Sequence, residues 1–235
     1  MRLLSFVLSL AAVGCLGTSP GSGSSSADAD ADADTDADAD VGDGDTDGDG
    51  WSDAEEAASY TDPDDAEDHP YEFGDYPMDP CRNDIESTGY TPGDIAPDFV
   101  MPDQFGQPVR LHDFCDHTVV MTIGAFWCGP CIEAAAELRA MYDELGDEGF
   151  WPLDITAWNR DGAAATVPDL AAWAEDYDLN TPVLWDDTFR GTSDYMAQGN
   201  GLPHRVILAP GMEVVTIGVY SEEEIRDMVL EIAAR

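Results

Sequence analysis

A buried strand that leads straight into a Cys-x-x-Cys helix start limits the possible folds of this chain more than any other feature. Residues 118–126 are β-branched and apolar, which predicts a strand buried on both faces. Residues 130–145 have helical character and are followed by Gly146. The junction between the two consists of Trp127, Cys128, Gly129, Pro130 and Cys131. The sequence therefore predicts an α/β domain with a cysteine pair at a helix N-terminus.

This placement predicts thiol–disulfide exchange by the two cysteines. The free N–H groups and the dipole of the helix stabilise a thiolate at Cys128, which can attack a substrate disulfide. Cys131 lies one turn further along the helix, within reach of the first sulfur, and can resolve the mixed disulfide. Gly129 lets a substrate backbone approach closely, and Pro130 has its φ angle set for the first helical turn.

Other uses of a Cys-x-x-Cys pair fit this sequence less well. A c-type haem site needs His after the second cysteine, and Ile132 stands there. A structural zinc site needs a second Cys or His pair, and the sequence offers none. A purely structural disulfide between Cys128 and Cys131 stays open as an alternative.

The pattern of strands and helices extends this domain over residues 93–235. A capping box of Ser221 and Glu224 begins a final helix. Another helix is predicted for residues 168–177, where Pro168 stands in the first turn. Further strands are predicted for residues 98–101, 109–114, 150–158, 182–185, 205–209 and 214–219. This order predicts an α/β sandwich, with a mixed central sheet flanked by helices.

Three motifs resemble thioredoxin-fold proteins of the redoxin/TlpA/ResA type. They are Gly-Asp-Ile-Ala-Pro-Asp-Phe at residues 93–99, Trp-Cys-Gly-Pro-Cys at residues 127–131, and Gly-Leu-Pro at residues 201–203. The resemblance implies a thioredoxin-like fold in which Pro203 is cis and faces the active disulfide. It also implies that Leu202 offers backbone groups to a substrate chain in strand-like pairing. The residues implied to support the active site are Trp127, Gly129, Pro130, Leu202 and Pro203.

The proton acceptor for Cys131 is not where the resembling families keep it. Thioredoxins place a buried Asp six residues before the first cysteine, and Thr122 stands there. TlpA-like proteins often place a Glu three residues after the second cysteine, where this chain has Ala134. Glu133 is adjacent but would face another way on a helix. Asp154, on the next predicted strand, is a weak candidate that we interpret as an edge carboxylate.

Three classes of function follow. The first is a thiol–disulfide oxidoreductase that acts on exported protein substrates and exchanges electrons with a membrane donor or oxidant, as the resemblance implies. Gly-Pro between the cysteines and the apolar Leu202 favour a reductase, by analogy with thioredoxin. The second is a thiol peroxidase, but peroxiredoxins have Thr or Ser where this chain has Ala125. The third is a non-enzymatic, calcium-ordered surface protein on a thioredoxin scaffold, which the intact Cys-Gly-Pro-Cys motif disfavours. No cofactor is expected for catalysis.

Cys81 and Cys115 complete an even set of four cysteines after residue 15. In an oxidising compartment such a pair favours a structural disulfide, here one that ties an N-terminal extension (residues 70–92) to the core. The alternative is a relay pair that exchanges electrons with Cys128 and Cys131.

The N-terminal residues predict export and a lipid anchor. Arg2 and the short apolar run that follows read as a signal peptide over residues 1–14. Ala-Val-Gly-Cys at residues 12–15 resembles a bacterial lipobox, which implies lipidation of Cys15 and a protein anchored in the cell envelope, facing the periplasm or the cell surface. The alternative is a simple secretory signal cut near Gly14 or Gly17. Residues 15–42 are rich in Ser, Gly and an Ala-Asp repeat, and predict a disordered acidic tether.

The charge of the chain excludes one class of partner. The formal net charge is -41, with nine basic residues, all of them Arg. Nucleic acids are dense polyanions, so a chain this acidic repels them and we expect no nucleic-acid partner.

Residues 43–69 contain acids at the spacing of a calcium loop. Carboxylates stand at positions 1, 3, 5, 9 and 12 of a twelve-residue pattern, with Gly50 at position 6 and the Trp51 carbonyl at position 7. The pattern resembles bacterial thrombospondin type 3 repeats. The alternative is an acidic linker that meets the spacing by chance. The predicted ligands are Asp45, Asp47, Asp49, Trp51, Asp53 and Glu56.

Overall fold

The central sheet of this computed structural model has five strands in the order β5-β4-β3-β6-β7. Strands β3, β4 and β5 run parallel, whereas β6 runs antiparallel to both β3 and β7. A separate antiparallel pair, β1 and β2, precedes it. The strands of the described part are β1 (Val100–Pro102), β2 (Pro108–Arg110), β3 (Thr118–Gly124), β4 (Phe150–Thr156), β5 (Val183–Trp185), β6 (His204–Ala209) and β7 (Glu213–Gly218).

The structure describes residues 44–186, 190–197 and 201–235, all of which belong to one compact unit. The predicted signal peptide (1–14), the lipidation site Cys15 and the predicted tether (15–42) lie outside the described residues. Within the described residues, no helix combines the length and the apolar character needed to cross a membrane.

The longest helix of the described residues starts at the cysteine motif. Cys128 is its N-cap, Pro130 lies in its first turn, and its buried positions recur at the three- and four-residue spacing of one helical face. The last helix begins at the predicted capping box of Ser221 and Glu224, which is present in the structure. The α-helices of the described residues are α1 (Asp53–Ser59), α2 (Gly129–Leu145), α3 (Val167–Asp176), α4 (Arg190–Met196) and α5 (Glu222–Ala233).

The two faces of β3 pack against different parts of the chain. Side chains alternate along a strand, so Val120, Thr122 and Gly124 share one face, and Met121 and Ile123 share the other. Val120 packs with the apolar sides of α2 and α5. The opposite face packs against the short β1–β2 pair, part of α4 and the N-terminal extension. The prediction of a thioredoxin-like α/β fold, with a mixed central sheet flanked by helices, is confirmed.

Several predicted boundaries were wrong in detail. The strand predicted for residues 109–114 ends at Arg110, and Leu111–Phe114 forms a 3-10 helix that buries Leu111 and Phe114. The strands predicted for 118–126 and 150–158 end two residues earlier, where the chain turns toward the helix starts. Helices α1 and α4 were not predicted, because each is only seven residues long and has little apolar periodicity.

Candidate active site

Cys128 and Cys131 form a disulfide at the N-terminus of α2. The backbone N–H of Cys131 donates to the Cys128 sulfur at 3.3 Å, so the helix start points a free donor at the first sulfur. Both cysteines are nearly buried, at 6% and 4% exposed, whereas the neighbouring Trp127 is 54% exposed. A buried disulfide beside an exposed aromatic side chain can be reached by a substrate that covers Trp127.

Gly124 allows α2 to begin close to the sheet. A Cβ atom at this position would lie 3.3 Å from the Cys131 sulfur, which is tighter than nine in ten real Cβ contacts. The turn after β3 is held by the Cys128 N–H, which donates to the Ala125 carbonyl at 3.0 Å. Cys131 is therefore pressed against the sheet, while Cys128 lies at the N-cap of α2.

The Leu202–Pro203 loop lies against the same pair. The peptide bond between Leu202 and Pro203 is cis, and Gly201 before it has a φ of 117°, a conformation that favours glycine. Leu202 packs with Trp158 against the two cysteines. A Cβ at Gly129 would meet nothing within 4 Å, so the helix start is open to a substrate backbone. The structure thus brings together all the residues that the sequence assigns to the redox site.

The interpretation of Asp154 as an edge carboxylate is wrong. Strand β4 lies between β5 and β3, so Asp154 is in the interior of the sheet. Asp154 pairs with Thr122 on β3, and Thr122 pairs on its other side with Arg205 on β6. Asp154, Thr122 and Cys131 line one small cavity. Strand order is set by long-range pairing, which the local sequence pattern does not contain.

The charges of this row are held in an apolar environment. Burial raises the pKa of Asp154 to about 6, and the guanidinium of Arg205 opposes that shift. Burial lowers the pKa of Arg205, while Asp154 and then Glu137 oppose the shift. Arg205 is 2% exposed and donates through Nη1 to the Thr122 hydroxyl. Sequence analysis missed Arg205, although an Arg among the apolar residues of β6 signals a buried charge that needs a partner.

Cys81 and Cys115 form the second disulfide, on the other side of the sheet. Cys115 is fully buried and packs with Met121 and Ile123, whereas Cys131 lies on the Gly124 face of the same strand. The sheet therefore separates the two disulfides, which disfavours a direct relay between them and favours a structural role.

The N-terminal extension is joined to the domain by buried ion pairs next to this disulfide. Arg82 is 1% exposed, pairs with Asp68 and Asp113, and donates to the Tyr60 carbonyl at the end of α1. The Tyr71 hydroxyl donates to Asp113. Burial raises the pKa of Asp113 to about 6, with Arg82 opposing the shift.

The acidic segment brings three of its predicted ligands together, next to a fourth that is buried. One carboxylate oxygen each from Asp45, Asp47 and Asp49 lies within 4.8 Å of the others. Glu56 is fully buried, and neither of its carboxylate oxygens has a hydrogen-bond partner. Burial raises the pKa of Glu56, and the carboxylates of Asp47 and Asp49 add to the shift. Orphaned acidic oxygens in this arrangement fit a hard cation with oxygen ligands.

The remaining predicted ligands are placed differently. Both oxygens of Asp53 accept hydrogen bonds from the backbone N–H and the hydroxyl of Thr46, so Asp53 closes the loop. Trp51 donates its N–H to Asp49, which fixes the turn around position 7. Gly50 has a φ of 107°, which is the reason for glycine at position 6.

Comparison with protein families matches residues 92–217 to the AhpC/TSA family. The relatives include the thioredoxin-like protein YneN of Bacillus subtilis, 29% identical over 101 residues, which are 43% of this chain and 57% of YneN. The thiol-disulfide oxidoreductase ResA of Bacillus thuringiensis is 29% identical over 94 residues, which are 40% of this chain and 51% of ResA. The chain thus spans about half the length of these curated relatives.

Among solved structures, the thioredoxin domain of a thiol-disulfide oxidoreductase from Bacteroides vulgatus superposes with a TM-score of 0.52. It is 19% identical in sequence, and the match covers 61% of this chain and 98% of that domain. At this level of identity the likeness establishes the fold alone.

Proposed function

The chain belongs to the AhpC/TSA family, and we propose that it is an extracytoplasmic thiol–disulfide oxidoreductase that uses Cys128 and Cys131 on protein substrates. The observation that carries the proposal is the Cys128–Cys131 disulfide at the N-terminus of α2, with Leu202 and Trp158 packed against it. The names of the relatives YneN and ResA support the same chemistry.

The proposed reaction has two steps, each written for reduction of a substrate. The Cys128 thiolate attacks one sulfur of the substrate disulfide, and the other substrate sulfur leaves with the electron pair. The Cys131 sulfur then attacks Cys128, which frees the second substrate sulfur and forms the Cys128–Cys131 bond. The substrate gains two electrons from the cysteine pair. A membrane donor must then supply two electrons to reduce the Cys128–Cys131 disulfide again. Gly129 and Pro130 between the cysteines favour this direction, and a reduction potential below that of the compartment would support it.

Trapping of substrates tests the assignment of roles. We expect Cys131→Ser to accumulate mixed disulfides with envelope proteins, because the first step proceeds and the second has no attacking sulfur. Cys128→Ser should trap none, since Cys131 is pressed against Gly124. Non-reducing electrophoresis followed by reduction measures the difference. Equal trapping by the two variants would contradict the assignment, and rapid peroxide consumption without trapping would favour the peroxidase alternative.

We also propose that residues 43–69 bind one calcium ion through Asp45, Asp47, Asp49 and Glu56. The supporting observation is the buried Glu56, whose two oxygens have no hydrogen-bond partner in the described structure. The Trp51 carbonyl and Asp53, through a water, would complete the ligand set. Calcium would order the segment that precedes the redox domain and take no part in the exchange chemistry.

Export and lipid anchoring remain proposals that rest on the sequence of residues 1–15. One diacylated Cys15 would be enough for stable anchoring, because two acyl chains bury far more CH₂ groups than one. We expect the wild type to incorporate labelled palmitate and Cys15→Ala to incorporate none, because the variant lacks the thiol that would carry the diacyl group. Equal labelling of the two chains would contradict the anchor.

A further inference from the structure

A polar row crosses the sheet next to the small cavity that the resolving cysteine lines. Thr122 on β3 is flanked in register by Asp154 on β4 and by Arg205 on β6. Side chains of residues paired in this way project from the same face of a sheet. Thr122 and Arg205 are only 3% and 2% exposed, and Asp154 is half-buried, so most of the row is shielded from solvent.

The row opens toward Cys131. Gly124 shares a face with Thr122, and the Cys131 sulfur lies 3.3 Å from the position of a Cβ on Gly124. Cys131 and Asp154 line the same small cavity, and Asp154 carries the only carboxylate among the described residues that line it. The other walls include Phe126 and Trp173, which keep the cavity apolar.

Burial and the neighbouring charges place the pKa of Asp154 in the range where its carboxyl can both bind and release a proton. Arg205 faces it from β6 and favours the carboxylate, whereas burial favours the neutral acid, so its pKa lies at about 6. Glu137 on α2 interacts with Arg205, and burial raises its own pKa. From β5 the residue paired with Asp154 is Val183, which has no charge.

We propose that Asp154 is the proton acceptor of Cys131, carried one strand away from the position that Thr122 occupies. The inference rests on the proposed function, because it concerns the second step of the exchange. The Cys131 S–H gives its proton to the Asp154 carboxylate, either directly or through a water in the cavity. The sulfur then bonds to Cys128 as the second substrate sulfur leaves with its electron pair. In the reverse direction, the protonated Asp154 returns the proton to Cys131.

Thionitrobenzoate release separates the two steps in the full chain carrying Cys15→Ala. Addition of the reduced protein to dithiobis(nitrobenzoate) releases one thionitrobenzoate when Cys128 attacks and a second when Cys131 resolves the mixed disulfide. With Asp154→Asn, we expect the second phase to slow by about 100-fold, which is an ordinary contribution of general base catalysis. The rate of the first phase should stay within about twofold of the wild-type rate. The rise of the second-phase rate around pH 6, which the wild type should show, should disappear.

Glu137→Gln is the matched control, because it also removes a carboxylate that interacts with Arg205 but does not line the cavity. The rate of its second phase should stay within about twofold of the wild-type rate. The double variant Thr122→Asp with Asp154→Asn moves the carboxylate to the paired position and should restore a pH-dependent second phase.

Two results would overturn the proposal: a second phase of Asp154→Asn with unchanged rate and pH profile, or equal slowing by Glu137→Gln. Failure of the proposed function would look different. In that case Cys131→Ser would trap no protein substrate, while both phases of thionitrobenzoate release would still occur.

Discussion

At the scale of single residues, the ionised form of Asp154 is the form that the proposed exchange needs, but it lowers the stability of the fold. A carboxyl whose pKa rises from 3.8 to about 6 on folding binds its proton more tightly in the folded chain than in the unfolded chain. The stability that it contributes is therefore fully present below about pH 4 and is lost as the pH rises through about 6. At neutral pH the folded protein holds a charge that burial opposes.

This linkage predicts how Asp154→Asn changes with pH. The free energy of unfolding of the wild type, minus that of the variant, should fall by at most about 3 kcal/mol between about pH 4 and pH 7 and then stay level. Asp154→Asn also removes the charged partner of Arg205. This loss changes the difference in free energy of unfolding by the same amount at every pH, because Arg205 stays charged throughout this range. Urea unfolding at a series of pH values measures the difference. A difference that stays constant or rises with pH would contradict the raised pKa.

At the scale of elements, the sequence pattern predicted those helices and strands whose formation depends on residues close together in the chain. The strand before Cys128, helix α2 and the capping box of α5 are local features, and the structure contains them. The sheet order and the row formed by Asp154, Thr122 and Arg205 depend on which strands pair, so the sequence pattern did not reveal them. The roles of Gly129 and Pro130, which lie within the cysteine motif, could be predicted from the sequence. The position of Asp154 in the interior of the sheet could not, because it depends on how the strands pair.

Helix α1 illustrates another limit of local patterns. It is short and acidic, and its capping box between Ser52 and Glu55 lies within the span of the predicted metal loop, between residues predicted as ligands. The helix buries Glu56 beneath the loop, and burial is a tertiary property. The twelve-residue spacing indicates which acids share the loop, whereas the orphaned state of Glu56 became visible only in the structure.

The calcium proposal makes a prediction about this element. Exported single loops bind calcium on the order of 0.1–1 mM, so about 10 mM calcium should raise the free energy of unfolding of the full chain by about 1–3 kcal/mol. Glu56→Gln should abolish the rise, because it removes a buried ligand that has no other partner. Thermal melts with and without calcium measure it.

The matched control for this prediction is Glu67→Gln, which makes the same charge change at an exposed position of the same segment and should keep the full rise. A rise of the same size in both variants, or with magnesium in place of calcium, would indicate general screening of acidic charge. That result would reduce the segment to a charged linker.

At the scale of the whole molecule, net charge acts on substrate encounter. The chain carries 50 acidic residues against nine Arg. Within the described residues, most Arg side chains are already paired with carboxylates, for example Arg139 with Asp143 and Arg226 with Glu144. The exposed acidic excess therefore gives the molecule a negative potential, which attracts cationic substrates and repels anionic ones.

This potential predicts opposite salt effects for two small disulfides of opposite charge. The second-order rate of oxidation of the reduced protein by cystamine, a dication, should fall several-fold between about 10 mM and 500 mM salt, because screening removes the attraction. The rate with oxidised glutathione, which is anionic, should rise over the same range, because screening removes a repulsion. Stopped-flow tryptophan fluorescence follows both reactions, and Cys128→Ser is the control for reaction at other thiols. If both rates moved in the same direction, the charge of the chain would have no part in selecting its substrates.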